Sequence, residues 1–150
     1  MSAEIEVRIL GRDDAGVLQR RAPGVFDHAI DPRWCRAFFA DPRHHLAVAL
    51  DGDTVVGMVS AVDYVHPDKA PQLWINEVGV APSHHRRGIA RRMLDAMLAH
   101  GRALGCTEAW VLTDETNAAA RRLYTSAGGE SSPSLMYSFP FGDAPGSPAS

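Results

Sequence analysis

The chain has 150 residues, 45% hydrophobic and 22% charged, with a formal net charge of −3 at neutral pH. That length supports one domain with a proper core, and the composition is ordinary for a soluble globular protein. A pI near 6.1 argues against general nucleic-acid affinity. Cys35 and Cys106 are isolated, fit no metal spacing and give no reason to expect a disulfide framework. No apolar run approaches the roughly 20 residues of a membrane span, and no basic-then-apolar leader opens the chain. The expectation is a cytoplasmic protein with no metal, membrane or nucleic-acid partner.

"EIEVRIL" alternates apolar and polar residues and predicts an opening strand. Residues 12–40 are helical in flavour but broken by Pro23 and Pro32, which predicts two short helices. Pro32 after Asp31 is a good helix start, with Trp34, Ala37 and Phe38 as its apolar face. "HLAVAL" and "DTVVGMVSAVDYV" predict a hairpin turning at "DGD". "PDKAPQ" reads as a loop, and "LWINEVGVA" as a strand ended by Pro82. From Arg86 to Leu104 the apolar residues Ile89, Met93, Met97 and Leu104 fall at helical spacing, with Gly105 as the C-terminal stop. "EAWVLT" predicts a strand. "TNAAARRLYTSAGG" predicts a helix begun by Thr116 or Asn117 and closed by Gly128, and "SLMYSFPF" a final strand. The order defines an α+β domain with a mixed sheet, over residues 1–140. The Gly-, Pro- and Ser-rich residues 141–150 read as a flexible tail.

The segment "HHRRGIARRML" puts Arg86, Arg87, Arg91 and Arg92 within seven residues at a helix start. A helix N-terminus carries about half a positive unit charge, so arginines there repel it unless an anion lies between. Gly88 lets backbone N–H groups close around phosphate oxygens. The spacing is neither GxGxxG nor a P-loop, and no Lys-Ser/Thr follows for magnesium. The inference is a phosphate-bearing cofactor held without metal. The bland alternative is a solvated arginine face.

At this point "VGVAPSHHRRGIARRML" resembles the acetyl-CoA-binding segment of the GNAT superfamily of N-acetyltransferases, whose pattern is Gln/Arg-x-x-Gly-x-Gly/Ala after a strand ending hydrophobic-x-Val-x-Pro. Gly88 and Ala90 fill the last two positions, while His85 departs from the usual Gln or Arg. "TNAAARRLYTSAGG" is similar to the family's Asn-x-x-Ala-x-x-x-Tyr-x-x-x-Gly segment through Asn117, Ala120, Tyr124 and Gly128. The resemblance covers about residues 4–140. It implies a central, mostly antiparallel mixed sheet with splayed central strands, flanked by about four helices. It further implies that strand 76–81 splays at a bulge and that pantetheine lies in the gap. There the backbone of Val78, Gly79 and Val80 would pair with it, and N–H groups of His85, Arg86, Arg87, Gly88, Ile89, Ala90 and Arg91 would cup the pyrophosphate. Asn117 and Ala120 would also contact the coenzyme.

Glu77 is the candidate base. A charged residue inside "WINEVGV" is rarely there for stability, and burial there would raise its pKa toward the working range. The alternative is a carboxylate on the strand's solvent face. The resemblance places Tyr124 beside the coenzyme sulfur as candidate acid, against the alternative of a packed aromatic. Asp63, Asp68, Asp114 and Glu115, facing Glu77, are the acidic set expected at the acceptor mouth, where they would favour a cation. His44, His45 and His66 have no partner at metal or triad spacing, and His84 and His85 read as exposed loop residues.

Within the superfamily the chain looks most like the short aminoglycoside 3-N-acetyltransferases, in its compact length and the acidic residue before Val-x-Val. That implies acetyl transfer to an aminoglycoside amine. The alternatives are a protein or peptide acceptor, a small polyamine, or a non-catalytic acyl-CoA-binding module. A homodimer is also implied, through late strands.

Overall fold

The computed structural model describes residues 4–142. Its sheet has five strands in chain order: β1 (Ile5–Ile9), β2 (His44–Asp51), β3 (Thr54–His66), β4 (Lys69–Val80) and β5 (Glu108–Val111). The first four run antiparallel, and β5 joins β4 in parallel. Three α-helices accompany them, α1 (Pro32–Ala40), α2 (Ile89–Ala103) and α3 (Ala118–Ser126), with short 3₁₀ turns at Ala15–Gln19 and Pro82–His84.

Helix α2 crosses one face of the sheet, burying Ile89, Met93, Leu94 and Met97 in the core on the side that carries Ala47, Val59, Ala61 and Leu73. Each such side chain contributes about 1.5–3 kcal/mol when fully buried. Two glycines set the close approach: a Cβ on Gly57 would come 2.7 Å from Met93 Cε, and one on Gly101 2.9 Å from Leu73 Cδ2. Helix α1 takes the opposite face, where Phe38 stacks on His44, the neighbour of the α2-facing His45. Asp31 caps α1 by accepting a 2.8 Å hydrogen bond from the Arg33 N–H, with Pro32 in the first turn as the sequence predicts.

Three boundaries differ from the sequence reading. The expected loop 67–72 shrinks to a turn, because His66 already pairs with Lys69. Pro71 is tolerated in the strand because it sits in a bulge between the Tyr64 and His66 pairings, where no ladder N–H is required. Helix α2 starts at Ile89 and not Arg86, since Arg86 (φ 63°) and Gly88 (φ 71°) both adopt left-handed backbone. The final strand over 134–141 is absent: those residues form no ladder, and Leu135, Met136, Tyr137, Phe139 and Phe141 are 75–99% exposed. Their strand-like pattern has no pairing partner among the described residues. Residues 143–150 of the expected tail lie outside the described residues.

Candidate active site

Strand β4 is built around one irregularity. Ser60 pairs with Glu77 while the adjacent Ala61 pairs with Ile75, so Asn76 is an extra residue on β4. Such a bulge bends the strand and re-aims its side chains. Strand β5 follows β4 only from Gln72↔Glu108 to Ile75↔Val111 and then departs. Beyond the bulge, β4 runs on to Val80 without β5, leaving its outer edge open. The expected splay is therefore present, at the expected place.

A cleft of about 410 Å³ lies here, lined by Gly24, Val25, Asp27, Met58, Glu77, Val78, Gly79, Val80, Pro82 and His85. Gly79 closes its wall: a Cβ there would collide with the Val25 carbonyl oxygen, so the 24–27 loop can lie directly on the strand. Glu77 reaches the cleft, but it is exposed, and the burial expected of it is absent. The bulge explains this, since Asn76 and Glu77 both turn to the open face next to the departing β5. Asp27 was missed by sequence reasoning. It belongs to an irregular loop, and no periodicity signals that the loop folds over β4.

The open edge leads into the start of α2. Gly88 has no side chain to cap the helix, and the first turn holds no acidic residue. The leading N–H groups of a helix have no intrahelical partner, so this end is receptive to an anion. The four arginines divide. Arg91 donates to Asp95 at 3.0 and 3.1 Å and to the Ser126 carbonyl at 2.7 Å, clamping α2 to the end of α3. Arg92 donates to the Ile5 carbonyl at 2.9 Å and ties α2 to β1. Among the described residues, Arg86 and Arg87 form no ion pair and are exposed. His85 is also exposed, with Nε2 2.8 Å from the Val80 carbonyl oxygen, while His84 bridges Ser83 and Asp51. Ile89 is buried, and Ala90 is half-buried.

Asn117 caps α3, its Oδ1 accepting from the Ala120 N–H at 3.1 Å, as expected of the N-terminal residue. Tyr124 lies in the last turns of that helix, half-buried, and burial raises its phenol pKa above 10. Asp114 and Glu115 are exposed on the turn between β5 and α3; their carbonyls accept from the Asn117 N–H and from Arg121.

Asp63 is not brought to this cleft. It pairs with Leu73 near the far end of β3 and binds His45 Nε2 at 2.6 Å, and His45 Nδ1 in turn meets His100 Nε2 at 3.0 Å. Along a strand, residues 60 and 63 point to opposite faces, so Asp63 turns toward α2 while Ser60 and Glu77 face the cleft. The same cluster gives His45 the partners its sequence neighbours did not reveal. No group of three or more His, Cys, Asp or Glu among the described residues could hold a metal ion, and no helix there is long and apolar enough to cross a membrane.

Fold and cleft together define a small α+β protein with a splayed sheet edge feeding an anion-receptive helix start. The Acetyltransferase (GNAT) family model matches residues 16–128, and the chain belongs to that family. It is 36% identical over 94 residues to an L-2,4-diaminobutyric acid acetyltransferase of Streptomyces avermitilis, covering 62% of this chain and 50% of that protein. The chain spans about half the length of the curated relatives it matches. Among solved structures it is similar to an aminoglycoside acetyltransferase from an uncultured soil metagenomic sample in complex with sisomicin. The TM-score is 0.79 and the identity 16%, covering 93% of this chain and 97% of the other. It is also similar to aminoglycoside N-acetyltransferase AAC(6')-Iy in complex with CoA, with TM-score 0.74 and 17% identity, covering 94% and 97%. The expected special likeness to 3-N-acetyltransferases is not singled out, since structures of AAC(6')-Iy are among those that share the fold.

Proposed function

We propose that this chain is an acetyl-CoA-dependent N-acetyltransferase acting on a cationic amine, with an aminoglycoside as the acceptor class. The observation that carries the reading is the continuous path from the open β4 edge to the uncapped start of α2. Val78, Gly79 and Val80 offer backbone groups to pantetheine in the manner of an added strand. N–H groups from His85 through Arg91 receive the pyrophosphate, with Arg86 and Arg87 adding charge. Asn117 and Ala120 lie on the coenzyme's other side.

Acetyl-CoA supplies the acetyl thioester. The neutral amine attacks its carbonyl, so that a C–N bond forms and the C–S bond breaks. Glu77, exposed to water, takes the amine proton through a water molecule. Tyr124, protonated at neutral pH like any phenol and held so more firmly by burial, gives its hydroxyl proton to the leaving sulfur. Asp27, Glu77, Asp114 and Glu115 form the acidic surround that favours a cation. The aminoglycoside reading draws on the neighbours crystallised with such compounds. A second reading, a small diamino acid acceptor, draws on the diaminobutyrate relative. A thiol-release assay with acetyl-CoA against sisomicin, L-2,4-diaminobutyrate and basic peptides separates them: turnover confined to the diamino acid or to peptides removes the aminoglycoside assignment. The exposed apolar segment 134–141 supports a homodimer, which sedimentation of the full chain would report as twice 16.2 kDa.

A further inference from the structure

Trp74 and Trp110 stack nearly parallel, with ring centroids 5.1 Å apart and an interplanar angle of 9°. They are directly paired across β4 and β5. The Trp110 indole N–H donates to the Tyr64 hydroxyl at 2.8 Å, and that hydroxyl donates to Gln72 Oε1 at 3.0 Å. The ring pair is therefore locked in place. It is not core: Trp74 is 38% exposed, and Trp110 is only partly covered.

The bulge decides what this pair faces. Leu73 lies under Gly101 and Gly57 under Met93, so those residues and their partners point to α2. Trp74, paired with Val62, points to the other face. Glu77 is three residues on and would face away from Trp74 in a regular strand. With Asn76 inserted, Glu77 pairs with Ser60 and shares the face of Trp74. Val62 and Ser60 are two residues apart on β3, so the ring pair stands about 7 Å along the sheet from Glu77. A rigid, half-open aromatic surface thus flanks the carboxylate in the cleft.

We infer that the Trp74–Trp110 pair is the acceptor platform and selects an amine carried on a sugar ring over an acyclic one. Aromatic faces bind the C–H face of a saccharide ring through apolar contact and attract a nearby ammonium through the ring quadrupole. Glu77 and Asp27 supply the matching negative charge, and the locked geometry costs the protein little ordering on binding. An acyclic diamine has no face to lay on the rings. This assignment rests on the acetyltransferase reading and names the acceptor class within it.

The test is Trp74→Leu, with Trp74→Phe as the conservative variant. With sisomicin, Trp74→Leu is expected to raise KM roughly ten-fold, with kcat within two-fold and acetyl-CoA binding unchanged. Trp74→Phe should restore most of the loss, and Trp74→Leu should raise the KM for L-2,4-diaminobutyrate several-fold less than that for sisomicin, because the acyclic acceptor loses only the attraction of its ammonium to the ring. Sisomicin titrated into the wild-type chain without acetyl-CoA should change the tryptophan emission, and Trp74→Leu should abolish that response. That titration does not depend on turnover, so it stands apart from any failure of the acetyltransferase reading. An unchanged sisomicin KM in a folded Trp74→Leu protein, or a wild-type emission indifferent to sisomicin, overturns the platform.

Discussion

Replacing Gly79 by alanine probes the contact that builds the cleft. The new Cβ would collide with the Val25 carbonyl oxygen, a backbone atom that cannot rotate away. Either β4 or the 24–27 loop must shift, and overpacking of this kind costs about 1–3 kcal/mol. In a domain of this length, that lowers Tm by roughly 2–12 °C. Gly57→Ala is the control. Its Cβ would meet chiefly Met93 Cε at 2.7 Å, the far end of a flexible side chain on the α2 face, and the Gly79 carbonyl oxygen only at 3.3 Å. Gly57→Ala should cost less stability than Gly79→Ala and leave the acceptor KM unaltered. Gly79→Ala should raise that KM, because Asp27 and Val25 move with the loop. Thermal melts and thiol-release kinetics on both variants read the two effects. A Gly79→Ala protein with wild-type Tm and KM would refute the claim that this contact positions the cleft wall.

The arginine run should split by role. Arg86→Ala with Arg87→Ala is expected to weaken acetyl-CoA binding about ten-fold in calorimetry, with Tm nearly unchanged. Arg91→Ala should lower stability by roughly 1 kcal/mol, through its bonds to Ser126 and Asp95. Stability should also depend on acid through α2. Burial, then the neighbouring His45, lowers the His100 pKa, while Asp63 opposes this. His100 thus binds a proton more readily unfolded than folded. Its contribution is complete above its ordinary value of 6.5 and fades as pH falls through the lowered folded value. Denaturant melts from pH 7 to 5 should show this loss, and His100→Leu should flatten it; an unaltered slope would remove His100 as its source. Glu77→Gln should reduce kcat by about 10²-fold or more while acetyl-CoA affinity holds, and full turnover in that variant would exclude Glu77 as the base.

Features governed by local chemistry were legible in the sequence. Asp31 and Asn117 cap their helices because a short polar side chain before an apolar period has few other uses. A carboxylate inside an apolar strand marks the cleft, whereas the left-handed Arg86 and Gly88 that delay α2 to Ile89 were not read from the helical period. What escaped depends on which strand face a residue takes and on what folds over it. Asp63 was grouped with Glu77 by charge, yet strand alternation sends it to His45 and the α2 side. Asp27 arrives through a loop whose path only Gly79 reveals, and Trp74 joins Glu77 only because Asn76 shifts the register. Segment 134–141 carries the pattern of a strand, but a pattern cannot supply the partner a strand needs.

The central claim is that one continuous surface, from the open β4 edge to the start of α2, receives the acetyl donor. Calorimetric titration of the full chain with acetyl-CoA tests it most directly. Binding in the micromolar range, weakened when Arg86 and Arg87 are both alanine, is the predicted result. No detectable binding by the folded wild-type protein at millimolar acetyl-CoA would contradict it.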